Sequence, residues 1–239
     1  MSLRTQIIRL AAAYISRDIN RWKKNAVSDQ LKILHDLVKS GRKTVFGKDH
    51  HFDKIDTYDD FKKLVPVRDY EDLRPYIDRM TKGEKDILWP GRPRYFAKTS
   101  GTTSGVKYIP ITDDSMPNHI NTARNAMFNY FNQSGNFTVL NGKLIFLSGS
   151  PQLENKGGIP TGRLSGIVNH EIPAWAKKNQ LPGYETNCIE DWEQKLDRIV
   201  SETLGQPMSL ISGIPPWVQM YYERLLERTG KKTVREVFP

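Results

Sequence analysis

Cysteine is almost missing from this 239-residue sequence: Cys188 stands alone. No intrachain disulfide can form, and a reducing, cytoplasmic setting is the expectation. Apolar runs are short as well. None approaches the roughly 18 residues that a membrane-spanning helix needs, so neither insertion nor a membrane partner is expected. Repeats and low-complexity tracts are missing, and 38% hydrophobic against 26% charged residues is the balance of a globular chain rather than a disordered one. Acid is scarce at one end only. Residues 1–50 hold 11 basic and 4 acidic side chains, whereas the other 189 hold 25 and 23, so most of the net +9 belongs to the amino terminus. No aromatic-and-basic nucleic-acid module accompanies that charge, which leaves a solvated helix face as its simplest account.

Metal and nucleophile signatures are also thin. Asp49-His50-His51-Phe52-Asp53 has the right residue types, but no further ligands recur at H-x3-H or C-x2-C spacing, so no metal site is expected. Ser148-Gly149-Ser150 lacks the G-x-S-x-G elbow.

Apolar periodicity predicts a helix over 4–24, packing through Ile7, Ile8, Leu10, Ala11, Tyr14, Ile15, Ile19 and Trp22. A second should run from Ser28 to Gly41 and bury Leu31, Leu34, Leu37 and Val38; further helices should span 57–64 and 69–82, with Gly83 as terminator. After the turn at Pro90, Gly91 and Pro93, short strands (95–98, 107–111, 143–148, 208–212, 233–238) alternate with helices (112–133, 189–204, 216–228), and the glycine-rich stretch 149–166 reads as a long loop. The fold class is α/β, with 1–90 mainly helical and 91–239 built on a mainly parallel sheet.

The chemistry concentrates in Thr99-Ser100-Gly101-Thr102-Thr103-Ser104-Gly105-Val106-Lys107, where five hydroxyls, two glycines and a lysine fill eight of nine positions. A polyphosphate needs close backbone N–H groups, hydroxyl donors and a cation, and this segment offers all three. It is not a Walker loop, because its glycines are too close and Tyr108 follows the lysine. A plain Ser/Thr/Gly turn joining two strands has the same composition and remains the alternative.

The segment resembles the phosphate-binding signature of the adenylate-forming superfamily, whose usual form is Ser/Thr-Ser-Gly-Thr-Ser/Thr-Gly-x-Pro-Lys. Here Ser104 is inserted and Val106 replaces the proline. That longer loop is similar to the one in the acyl-acid amido synthetases first described as auxin-responsive plant proteins, the Gretchen Hagen family, and especially in their bacterial relatives. Leu64-Val65-Pro66-Val67, Tyr70–Ile77 and Ile211-Ser212-Gly213-Ile214-Pro215-Pro216-Trp217 resemble flanking segments of the same family.

The resemblance implies a ligase. A carboxylic acid attacks the α-phosphate of Mg·ATP to give an acyl-adenylate, and an amine, usually of an amino acid, then displaces AMP to form an amide. Ser100, Thr102, Thr103 and Ser104 would donate hydroxyl hydrogen bonds, Gly101 and Gly105 would admit the phosphates, and Lys107 would supply charge beside Thr99. Arg124 becomes a candidate partner of the acyl carboxylate, although solvated arginines are the general rule. Ile214, Pro215 and Trp217 become candidate walls of an acyl pocket, a core position for Trp217 being the alternative. The family's tyrosine- and serine-rich adenine motif, its ribose-binding aspartate and its carboxy-terminal domain have no counterpart before Pro239. The chain therefore reads as the amino-terminal part of one large domain, with weak catalysis expected of it alone. An acyl-CoA ligase, a basic nucleic-acid-binding protein and a non-catalytic remnant are the competing functions.

Overall fold

The computed structural model describes residues 3–99 and 105–239, which fall into two compact units. The first comprises 6–129 and 153–162, and the second 130–152 and 163–239, with residues 3–5 assigned to it.

The first unit begins with helices α1 (Leu3–Lys24), α2 (Ala26–Gly41), α3 (Val45–Asp49), α4 (Tyr58–Leu64) and α5 (Tyr70–Thr81). The sequence itself punctuates them. Thr57 and Asp69 cap α4 and α5 by accepting from the Asp60 and Asp72 main-chain N–H groups, and those two aspartates reach back to the cap N–H groups, closing a capping box at each helix. Gly83, at φ 89°, ends the α5 segment.

The packed face of α1 is not the expected stripe. Ala12 and Ser16 are buried, whereas Ile7, Leu10 and Tyr14 are 59%, 73% and 72% exposed. Apolar residues cover too wide an arc of this helix to turn inward together, and the small residues allow the closest approach. Likewise Val38 is buried in α2 while Leu31 and Leu37 stay exposed.

Strands β1 (Tyr95–Thr99) and β2 (Lys107–Ile111) pair antiparallel over their whole length. They are followed by α6 (Met116–Ser134) and, in the second unit, by β3 (Lys143–Phe146). The stretch read as a loop contains a hairpin, β4 (Glu154–Lys156) and β5 (Ile159–Gly162). Its turn is Gly157-Gly158, both at positive φ (59° and 81°), the conformation that suits a two-residue hairpin. The sheet order is β2-β1-β5-β4, with β1 and β5 parallel. At the hairpin tip a Cβ on Gly157 would lie 2.1 Å from the Thr81 carbonyl oxygen, so only glycine admits this approach to the end of α5. The core beneath is Met80, Ile87, Phe96 and Ile159.

The second unit adds α7 (Leu164–Glu171), α8 (Ala174–Lys177), β6 (Gln180–Leu181), α9 (Tyr184–Cys188), α10 (Trp192–Thr203), β7 (Met208–Ser212), α11 (Pro215–Thr229) and α12 (Val234–Val237). Its sheet, β6-β3-β7, is entirely parallel. Three of the five strand pairings are parallel, as the α/β reading requires. The core joins Ile145 and Leu147 to Leu196, Ile199 and Val200 of α10 and to Tyr221 and Leu225 of α11.

The expected last strand, 233–238, is instead the short helix α12. Its Thr233-x-x-Glu236 spacing is a helix-start pattern, and Glu236 accepts from both Thr233 Oγ1 and the Lys232 N–H. That local signal outweighs the β-branched residues.

Candidate functional site

Of the phosphate-loop candidates, Ser100, Gly101, Thr102, Thr103 and Ser104 lie outside the described residues. Thr99, Gly105 and Lys107 frame them. Thr99 and Lys107 are antiparallel partners at the ends of β1 and β2, so the hairpin closes the loop at its base. β1 is an interior strand, pairing with β5 through Phe96 and Ala97, which anchors that base in the sheet. Gly105 sits at φ 79°, and none of the described residues comes within 4 Å of where a Cβ would stand.

Lys107 projects Nζ over the Tyr70 ring, 5.1 Å from its centroid. The Tyr70 hydroxyl accepts a 2.8 Å hydrogen bond from the Tyr108 N–H, tying the start of α5 to β2. No carboxylate pairs with Lys107 among the described residues, whereas neighbouring Lys98 is bound to Glu154. Lys107 is thus a positioned cation whose charge is not neutralised. In the sequence Tyr70 stands only as the start of a flanking segment, because nothing there signals its approach to a strand 38 residues later.

Arg124, on α6, is exposed. Its Nε and Nη2 donate to Asn125 Oδ1 at 3.2 and 3.0 Å.

In the second unit, Ile214 and Pro215 are exposed at the start of α11. Pro215 borders an open depression of about 660 Å³ together with Ile211, Val218 and Tyr222. Trp217 turns to the core and stacks on Trp192 at 4.9 Å. The strand-to-helix turn thus gathers Ile214, Pro215 and Trp217, with Gly213 packed where a Cβ would come within 2.9 Å of Leu147.

Two positively chargeable groups have purely internal roles. His50 is buried, donates from Nδ1 to the Phe46 carbonyl, accepts at Nε2 from Arg68 and stacks on the Phe46 ring. Lys195 is buried on α10, its Nζ donating to the Ser148 and Asn187 carbonyls, and burial pulls its pKa down. Among the described residues no three His, Cys, Asp or Glu side chains gather as a metal site would require, and no helix is long and apolar enough to cross a membrane.

Residues 15–234 match the family model of the GH3 family N-terminal domain. A jasmonoyl-L-amino acid synthetase of Nicotiana attenuata is 33% identical over 127 residues, 51% of this chain and 22% of that protein. An indole-3-acetic acid-amido synthetase of Arabidopsis thaliana is 47% identical over 62 residues, 25% of this chain and 10% of that protein. Among solved structures, the GH3.15 acyl acid amido synthetase superposes with a TM-score of 0.73 at 19% identity, over 91% of this chain and 39% of that one. A second structure, of AtGH3.15 with 2,4-DB, gives 0.67 at 20% identity, over 85% and 36%. At these identities the structural likeness concerns the fold. The chain spans well under half the length of the relatives it matches.

Proposed function

The chain belongs to the GH3 family, and from that footing we propose that it supplies the phosphate-binding part of an acyl-acid amido synthetase. In this reading the segment 99–107 grips the β- and γ-phosphates of ATP while a carboxylic acid attacks the α-phosphate, and an amino acid then takes the acyl group. The loop's contribution is positioning and electrostatic stabilisation of the departing pyrophosphate. The observation that carries the reading is the loop base, where Thr99 and Lys107 face each other across a hairpin and Lys107, whose Nζ lies over the Tyr70 ring, has no carboxylate partner among the described residues. Gly105 fits a phosphate chain because its left-handed backbone, with none of the described residues within 4 Å of its Cβ position, admits close approach.

Mg²⁺ would arrive bound to the triphosphate, which suits an ion usually held by phosphates, waters and few carboxylates. It supplies charge neutralisation there; the protein's own task is to hold the phosphate oxygens. The Pro215 depression is an apolar surface of the kind that takes an acyl group.

Calorimetric titration of the chain with Mg·ATP, Mg·pyrophosphate and AMP tests the reading. ATP and pyrophosphate should bind more tightly than AMP, which lacks the phosphates the loop would hold. AMP binding equal to or tighter than ATP binding would overturn it.

A further inference from the structure

Lys98 and Lys107 belong to the same hairpin and meet opposite partners. Lys98 is neutralised by Glu154 on β4, whereas Lys107 lies over a neutral aromatic face, the ring of Tyr70. Acids are not lacking nearby. Asp69, Glu71 and Asp72 all stand within two residues of Tyr70, and each is engaged within its own helix. Asp69 and Asp72 close the capping box of α5, and Glu71 accepts from Arg74 at 3.0 Å. The first turn of α5 thus offers Lys107 a ring and keeps its carboxylates for itself.

Tyr70 is held from two sides. It is the first residue of α5, directly behind the Asp69 cap. Its hydroxyl takes the Tyr108 N–H, and because β2 is an edge strand, that group has no neighbouring strand on its outer side. The ring is therefore fixed against the same strand that carries Lys107.

A lysine side chain gives up considerable rotamer freedom when it is pinned by a ligand. An aromatic face can bear that ordering beforehand, since it attracts an ammonium without supplying a negative charge. A carboxylate at the same place would compete with a phosphate for Lys107; a ring does not.

We propose that Tyr70 is a positioning residue, whose ring preorganises Lys107 for a polyphosphate and shares the ammonium with it in the bound state. The inference rests on the phosphate-loop reading of 99–107 and extends that site to the first turn of α5.

A double-mutant cycle tests it, read by calorimetry with Mg·ATP, Mg·pyrophosphate and AMP. Tyr70→Leu should weaken ATP and pyrophosphate about three- to fivefold, the worth of an exposed cation–π contact, and leave AMP unchanged. Tyr70→Phe keeps the ring and should retain the wild-type affinities. In a Lys107→Ala background Tyr70→Leu should cost nothing further. NMR of the ligand-free chain supplies a readout independent of nucleotide: the Lys107 ε-methylene protons should be shifted upfield by the ring in wild type and Tyr70→Phe, and not in Tyr70→Leu. If wild type does not prefer ATP and pyrophosphate to AMP, the phosphate reading itself falls. If that preference stands, the assignment to Tyr70 alone is overturned by an unshifted Lys107 methylene in wild type, by equal losses for ATP and AMP in Tyr70→Leu, or by the same loss of ATP affinity with Lys107 already replaced.

Discussion

Alkali should loosen the second unit through one side chain, Tyr221. This residue of α11 is fully buried, and its hydroxyl lies 2.8 Å from Thr203 Oγ1. The two hydroxyls share a hydrogen bond in which either oxygen can donate, and Thr203 Oγ1 also lies 3.0 Å from the Ile199 carbonyl. Burial pushes the phenol from 10.0 up to about 12, with the Thr203 contact pulling slightly the other way. Between these values the unfolded chain releases a proton that the folded chain retains, so stability is intact below pH 10 and falls as the pH rises toward 12. The loss is about 1.4 kcal/mol per pH unit, or about 3 kcal/mol in all.

Tyr221→Phe removes the titration. It should cost about 1 kcal/mol at neutral pH, because the hydrogen bond between the two hydroxyls is lost, and should then be the more stable form near pH 12. Urea unfolding followed by tryptophan fluorescence is suited to this, since the stacked Trp192 and Trp217 pack on the same core. A difference between wild type and Tyr221→Phe that stays constant from pH 9 to 12 would refute the reasoning.

Gly157→Ala should destabilise the first unit by about 3 kcal/mol in thermal unfolding, since the substituent meets the Thr81 carbonyl at 2.1 Å on a left-handed backbone. Gly158→Ala, with open space around it, should cost only about 1 kcal/mol. Asp69→Ala should remove a capping box at α5 and about 1 kcal/mol, read as faster hydrogen exchange in its first turn, whereas Asp69→Asn should retain most of the protection. ATP–pyrophosphate exchange by the 239-residue chain should be weak, since it spans 39% of its solved relative; robust exchange would show that these residues suffice.

Local grammar was legible where it depends on neighbours in the chain. The helix starts near Thr57 and Asp69, the stop at Gly83 and the strands at 107–111 and 208–212 all rest on residues within a few positions of one another. The hairpin at 154–162 was equally available in Gly157-Gly158, but the abundance of glycine and proline around it suggested a loop. What sequence cannot weigh is competition among faces. Both Ala12 and Leu10 lie on α1, and only the tertiary fit decides that the smaller one is buried.

The candidate site divides in the same way. The loop announces itself by composition, and the family resemblance drawn from it agrees with the family match over 15–234. Tyr70 beneath Lys107 arises from a contact across the fold and leaves no mark on the spacing of residues.

The central claim is that the loop closed by Thr99 and Lys107 holds a polyphosphate, and Lys107→Ala addresses it directly. Comparing wild type and variant by calorimetry with ATP, pyrophosphate and AMP, the account predicts about tenfold weaker binding of ATP and pyrophosphate, the worth of one charge-assisted contact, and unchanged binding of AMP. Unaltered ATP and pyrophosphate affinities, or an equal loss for all three ligands, would contradict it.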